Sequence, residues 1–342
     1  MKIAIHNRKG TFADHWIKYC QDNNIPYKAV NAYDNNIIEQ IKDCDAFMWH
    51  HNHVGAKDVL FAKQLLFSLQ MAGVKVFPDF NTGWHFDDKV GQKYLFEAID
   101  APLVPSYVFY TKEEAIDWVN KTTFPKVFKL RGGAGAANVR LARTKADAVK
   151  LINKAFSSGF PVFDKRGHLK ETIRKYKEGK LTLWQFGSGI KRLFYKSDFD
   201  KYASKQIGYA YFQDFIPNNT CDIRIIVIGD RAFGIKRMCR EDDFRASGSG
   251  NILYDKSDID ERCVELSFRI NASVKSQSFV VDFVFDENNN PLIVELSYGY
   301  VASGYEACPG YWTPDMVWHE EKFNPQYWII ENLIKDIKEC GN

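Results

Sequence analysis

The feature that most constrains this chain is the alternation along its first part: KIAIH, FADHWIKYCQ, YKAVN, IIEQIKD, AFMWH, KDVLFAKQLLFSLQMA and VKVF. Short apolar runs separated by segments of helical period cannot pair as tight hairpins. Each intervening helix returns the chain across the sheet, so the pattern predicts βαβ units and a small parallel sheet. A Pro- and Gly-punctuated stretch from Pro78 to Gly83 interrupts it. HFDDKVGQKYLFEAI then reads as a helix with acids at its N-terminus, and PLVPSYVFY, KEEAIDWVN and FPKVFKL continue as strand, helix, strand.

The later part has a different grammar. Residues 157–206 are polar, Lys-rich and weakly periodic, which marks an insertion rather than a separate domain. Beyond it, YAYFQDFI is a strand and DIRIIVIGDRAFGIKRM a hairpin turned at Gly-Asp. A helix follows over DERCVELSFRINASV, and two more strands lie in VVDFVFDENNNPLIVELSYGY. Strands grouped before a helix favour an α+β unit. The expected architecture is therefore α/β followed by α+β, with an N-terminal unit at 1–85, a central one at 86–212 and a C-terminal one at 213–342.

At 342 residues, with 45% hydrophobic and 15% aromatic content, the chain can bury a large core with room for such units. A formal charge of +3 arises from intermixed signs, so it points to neither nucleic acid nor an acidic membrane surface, and suits a protein handling anionic small molecules. No run approaches a membrane span and no apolar segment follows the basic N-terminus, so a soluble cytoplasmic protein is expected. The seven cysteines lie scattered without CxxC spacing, which predicts reduced thiols.

Two acids sit inside the last pair of strand segments, Asp282 and Glu295. Residues at period two share a face, so Asp282 on one strand and Glu295 with Ser297 on the next can converge on one side. Facing carboxylates in apolar surroundings are either brought together by Mg²⁺, which takes oxygen ligands, or flank a turn on the solvent face. In FPKVFKLRGGAGAANVRL, a strand ending at Lys129 enters a loop with Gly132, Gly133 and Gly135. Such a loop lets backbone N–H groups approach phosphate oxygens, although an ordinary glycine-rich hairpin reads the same way. It is neither a P-loop nor a GxGxxG turn. Lys89 near a helix start and the apolar FQDFIPNN segment say little singly.

Together, Lys89, Lys129 before a glycine loop, QDFI, and Asp282 and Glu295 with Ser297 resemble in order and spacing the ATP-grasp ligases. The resemblance spans nearly the whole chain. HFDDKVGQKYLFEAI, FRASGSGNI and CPGYW are also similar to a bacterial subgroup associated with surface-polysaccharide gene neighbourhoods. It implies two antiparallel sheets clasping ATP behind an N-terminal parallel-sheet domain. Lys89, Lys129, Gly133 and Gly135 would hold phosphates, Gln213, Asp214, Phe215 and Ile216 would form an adenine hinge, and Asp222 would contact the ribose. Asp282 and Glu295 would bind Mg²⁺, with Ser297 where the family usually has asparagine. The loop also departs from the family, with Ala136 and Asn138 in place of its serine and final glycine.

On this resemblance Arg224, Lys236, Arg237 and Arg245 would face the site, at least one of them being a surface charge instead. Lys236 would serve the nucleotide, while Arg237 and Arg245 would stabilise an acyl-phosphate transition state. MWHHNH, with His50, His51 and His53, ends a parallel strand without acid or cysteine partners, which suits substrate contact or structure better than a metal. The implied activity is ATP- and Mg²⁺-dependent ligation of a small-molecule carboxylate to an amine or thiol, compatible with a homo-oligomer. A small-molecule kinase and a non-catalytic nucleotide-binding protein are the alternatives.

Overall fold

The computed structural model describes all residues except 54, 133–137, 162–168, 170–171, 175, 177–178, 180–181, 195–204, 240–244, 247, 249 and 341–342. Strands β1 (Ile3–His6), β2 (Tyr27–Val30), β3 (Ala46–Met48) and β4 (Lys75–Phe77) form a parallel sheet in the order β2-β1-β3-β4. The helices between them form for local reasons. In Phe12–Asp22 the Thr11 side chain accepts from the Ala13 N–H, capping the first turn, and Phe12, Trp16 and Cys20 recur every fourth residue to make the buried stripe.

A second sheet is antiparallel throughout. It contains β5 (Ser106–Phe109), β6 (Lys126–Lys129), β7 (Val139–Ala142) and β8 (Ala210–Asp214) in the order β5-β8-β6-β7. Phe128, Phe160 and Phe212 pack under helices Lys112–Lys121 and Lys145–Ala155, each ring contributing about 1.5–3 kcal/mol by burial. The polar stretch 157–206 leaves and rejoins this sheet at Phe160 and Gln206, whose backbones exchange hydrogen bonds of 2.9 and 2.8 Å. Within it the helix Leu183–Phe194 is described, while much of the remainder lies outside the described residues.

The third sheet contains β9 (Cys221–Ile228), β10 (Arg231–Met238), β11 (Ile252–Leu253), β12 (Phe279–Phe285), β13 (Pro291–Ser297), β14 (Tyr311–Trp312) and β15 (Trp318–His319). Its order is β13-β12-β9-β10-β14-β15, with β11 also paired to β10. The mixed α/β architecture expected from the sequence is thus present, and β9–β10 and β12–β13 are the antiparallel pairs anticipated.

Alternation along these strands gives the sheet two different faces. Ile223, Ile225, Val227, Ala232, Val281 and Phe283 face one way, packing with helix Glu261–Val274. Ile226, Ile228, Phe233, Ile235 and Val280 face the other, in one core with the N-terminal sheet and the helix Pro325–Cys340. That last helix packs on Phe12–Asp22, so a segment expected within the C-terminal unit completes the N-terminal one; Trp16 Nε1 donates to the Gln326 carbonyl at 3.1 Å. Among the described residues no helix is long and apolar enough to cross a membrane.

Candidate active site

The face of the third sheet that carries Ile226 and Ile235 becomes charged toward one end of its strands, and there it opens into a cavity of about 760 Å³ shared with the second sheet and the N-terminal unit. Strand register sets the charges in a row. Glu295 on β13 is the direct partner of Asp282 on β12, which is the direct partner of Arg224 on β9. Arg237 on β10 is the partner of Asp222 on β9. The hairpin reading therefore holds: the two acids are a cross-strand pair on one face, and both line the cavity.

They are not, however, facing carboxylates without counter-charges. Arg224 grips Asp282 bidentately, Nε to Oδ1 at 2.5 Å and its terminal nitrogen to Oδ2 at 2.7 Å, and Arg237 adds a third bond to Oδ2 at 2.8 Å. Arg237 also grips Asp222 through two bonds of 2.6 Å. Burial alone would raise the Asp282 pKa, but the two guanidinium groups outweigh it and hold the carboxyl well below the ordinary range. Glu295 is 36% exposed and accepts from Lys89 Nζ at 2.8 Å. Burial opposes its charge, and Lys89 with Lys129 pulls its pKa down nonetheless.

Lys89 begins the helix Lys89–Ala98, whose N-cap Asp88 accepts from the Gly91 N–H. Burial works against the Lys89 ammonium, and Glu295 more than offsets it, so its pKa is raised. Lys129, the last residue of β6, is only 6% exposed and donates to Gln213 Oε1 at 2.5 Å. Burial is the dominant influence there and lowers its pKa to about 8. Gln213 is held in turn, its amide donating to Ser106 Oγ at 3.1 Å. Its side chain therefore positions Lys129, which leaves the backbone of residues 213–216 for the hinge contact expected of it.

The other expected residues divide. Asp214, Phe215 and Ile216 line the cavity at the end of β8, with the Asp214 carboxylate turned onto Lys126 Nζ at 2.5 Å. Asp222 lines it too, but both carboxylate oxygens are occupied by Arg237. Arg245 also lines it. Gly133 and Gly135 lie outside the described residues. Ser297 lines the cavity while its hydroxyl donates to the Gly299 carbonyl at 3.0 Å and accepts from the Gly299 N–H, which leaves one lone pair for a metal.

Lys236 requires correction. It precedes Arg237 on β10, so the pleat turns it to the opposite face, and it is not among the residues lining the cavity. Sequence reasoning also missed Arg224 as the clamp on Asp282. The available signal was DIR itself, because Asp222 and Arg224 at period two must share a face.

The donor set suits a hard divalent cation. Glu295 accepts only from Lys89 among the described residues, which leaves its second oxygen for a ligand, and Asp282, with three of roughly four acceptor positions filled, can share the remaining one. Three or more His, Cys, Asp and Glu residues do not gather into a metal-binding group anywhere among the described residues.

Residues 199–306 match the family described as RimK-like ATP-grasp domain, a span that includes β8 to β13 and the whole Asp222, Arg224, Arg237, Asp282 and Glu295 cluster. No curated protein matches the sequence. Among solved structures, the D-alanine--D-alanine ligase from Bacillus anthracis is 14% identical with a TM-score of 0.56, covering 99% of each chain. A RimK domain ATP-grasp protein from Sphaerobacter thermophilus is 12% identical with a TM-score of 0.54, covering 98% of this chain and 100% of its own. D-cycloserine synthetase DcsG is 11% identical with a TM-score of 0.56, covering 97% and 100%. The chain has the ATP-grasp fold. The match over residues 199–306 and the shared fold agree with the resemblance read from its motifs.

Proposed function

We propose that this protein is an ATP- and Mg²⁺-dependent ligase that joins a carboxylate to an amine through an acyl phosphate. The observation that carries the reading is the in-register pair Asp282 and Glu295, set beside the buried Lys89 and Lys129 in one cleft between two antiparallel sheets. Lys89 and Lys129 supply charge-assisted bonds to phosphate oxygens, each worth about 1.5–3 kcal/mol. Lys89 exchanges Glu295 for phosphate as nucleotide enters, which frees that carboxylate for the ion. A magnesium ion held there with ATP would offset phosphate charge and align the terminal phosphoryl group.

The chemistry needs no side-chain nucleophile. A substrate carboxylate oxygen attacks the γ-phosphorus and ADP leaves with the former bridging oxygen. The amine nitrogen then attacks the acyl carbon, loses a proton, and expels inorganic phosphate. Negative charge spreads over oxygen in both steps, and Arg237 and Arg245 on the cleft wall are placed to stabilise it. Asp222 holds Arg237 rather than a ribose on this reading, and Phe215 and Ile216 border the base. Lys236 has no part.

The test is ADP release from the purified protein with ATP and Mg²⁺ against a matrix of acids, amines and alcohols. The ligase reading expects rapid ADP formation only when an acid and an amine are both present. Release driven by one alcohol would establish a kinase. Nucleotide affinity with no release under any combination would establish a binding protein.

A further inference from the structure

The elements lining the cavity differ in charge. Lys89, Lys129, Arg224 and Arg237 come from the two antiparallel sheets and the helix that Lys89 begins. The N-terminal unit and residues 299–306 contribute Thr11, Phe12, Asp14, His50, Gly299 and Glu306, with no lysine or arginine among the described lining. A triphosphate belongs against the first set. Asp14 and Glu306 are both exposed, so the second set disfavours polyanions and accepts a group carrying an ammonium.

The fold independently directs a ligand to this second set. In the parallel sheet β2-β1-β3-β4, the chain leaves the carboxyl ends of β1 and β3 in opposite directions along the sheet, which makes a topological switch point. The segment after β1 supplies Thr11 and Phe12, and the segment after β3 supplies His50. The crevice between them opens into the cavity.

His50 is 8% exposed, and its surroundings fix which ring nitrogen carries the proton. The Phe12 N–H donates to His50 Nδ1 at 3.1 Å, so Nδ1 holds a lone pair and the proton of the neutral ring sits on Nε2. Phe12 stacks on the imidazole with centroids 3.7 Å apart and planes within 10°, locking its orientation. Burial holds the ring neutral by lowering its pKa to about 3. Nε2 has no protein partner among the described residues, and it abuts Gly299, where an added Cβ would come to 3.1 Å from Nε2. Three donors of the adjoining loop are engaged: the Ala13 N–H bonds Thr11 Oγ1, the Thr11 hydroxyl donates to the Arg8 carbonyl, and the Gly10 N–H donates to Asp14. His50 thus offers a neutral N–H donor of fixed orientation to the cavity it lines.

We propose that His50 is a specificity-determining residue for the amine substrate, its Nε2–H donating to an oxygen that this substrate carries beside its amino group, as α-amino acids and 2-amino sugars do. The inference rests on the ligase reading for the identity of the occupant. The tautomer and the donor follow from contacts alone. A neutral donor suits a carboxylate, carbonyl or hydroxyl oxygen, and gives nothing to a simple alkylamine.

The experiment follows the ring nitrogens of ¹⁵N-histidine-labelled protein by NMR, with a non-hydrolysable ATP analogue and Mg²⁺ present. The probes are α-amino acids in one arm, 2-amino sugars in a second, and propylamine as control. The expected result is a protonated Nε2 on His50 and a resonance shifted by at least one oxygen-bearing amine but not by propylamine. His50→Asn keeps an acceptor for the Phe12 N–H while withdrawing the cleft donor. It should bind that amine tenfold more weakly or worse, with nucleotide affinity unchanged, and His50→Gln, whose amide reaches toward the Nε2 position, should recover part of the loss. The proposal is overturned by a proton on Nδ1, by no probe in either arm moving the His50 resonance, by propylamine moving it equally, or by His50→Asn binding the amine normally. Failure of the ligase reading would show separately, as no ADP release with any acid and amine pair.

Discussion

The two acids of the cleft are equivalent in sequence terms but not in their surroundings, so replacing each by its isosteric amide separates folding from chemistry. Asp282 is 7% exposed and satisfies three guanidinium bonds. Asp282→Asn leaves Arg224, 21% exposed, with no carboxylate, whereas Arg237 keeps Asp222. Removing one partner of a buried ion pair costs about 3–5 kcal/mol, and the residual exposure of Arg224 places this case near the lower limit, about 3 kcal/mol. Glu295 is 36% exposed and makes one bond to Lys89, so solvent screening reduces the cost of Glu295→Gln to about 1 kcal/mol. The expected gap is about 2 kcal/mol in urea unfolding without nucleotide, followed by tryptophan fluorescence and circular dichroism in parallel. A double variant, Arg224→Met with Asp282→Leu, should be more stable than Asp282→Asn alone, because it leaves no buried unpaired guanidinium. Both amide variants should lose turnover by roughly a hundredfold, about 2.7 kcal/mol of transition-state stabilisation. Equal unfolding midpoints for the two amides, or a double variant weaker than Asp282→Asn, would refute the clamp described for Asp282. Wild-type turnover and Mg²⁺ dependence in Glu295→Gln would remove the metal centre.

Replacing Lys89 or Lys129 by Ala should weaken ATP binding at least tenfold in calorimetry, whereas Lys236→Ala on the opposite face should leave it unchanged. Because the Lys129 pKa lies near 8 before nucleotide binds, a polyanion drives proton uptake once the pH exceeds that value. ATP affinity should fall as pH rises through about 8, and calorimetry in buffers of different ionisation enthalpy should show protons taken up at about pH 8.5 but not at about pH 6.5. His50 and His85 titrate at about 3 and 4 in the fold, below the ordinary 6.5. The unfolded chain therefore takes up their protons first, and their contribution, intact above about pH 6.5, is lost as pH falls toward the folded values, by up to about 1.4 kcal/mol per pH unit each. His51 is buried with neither ring nitrogen bonded among the described residues, and its pKa is also lowered. His51→Phe should flatten the acid limb of urea midpoint against pH without loss of stability at neutral pH.

The parts legible in the sequence are those fixed by short-range period. The turn at DENNN and alternation on either side suffice to bring Asp282 and Glu295 to one face, and the capped segments between apolar runs suffice for the parallel sheet. Lys236 was misjudged although the same period decides it, since a residue adjacent to Arg237 on a strand cannot share its face. The clamp on Asp282 was hidden for a different reason. Arg224 lies 58 positions away, and it reaches Asp282 only because β9 sits between β10 and β12, a choice of neighbour made by long-range packing that no local pattern encodes. The same holds for Phe12 and His50, joined across 38 positions by a backbone donor and a ring stack.

The helix Pro325–Cys340 closes the core that β1 and the helix Phe12–Asp22 begin, with Trp16 bonded to a carbonyl 310 positions further on. On the ribosome this makes the earliest-emerging sheet dependent on residues translated last. Its apolar face, with Trp16 and Phe77 at the centre, stays uncovered through most of elongation. The crevice between β1 and β3 lies at its edge, so a chain interrupted before residue 325 would own every described side chain that lines the cavity yet lack the helix that backs Trp16 and Tyr300.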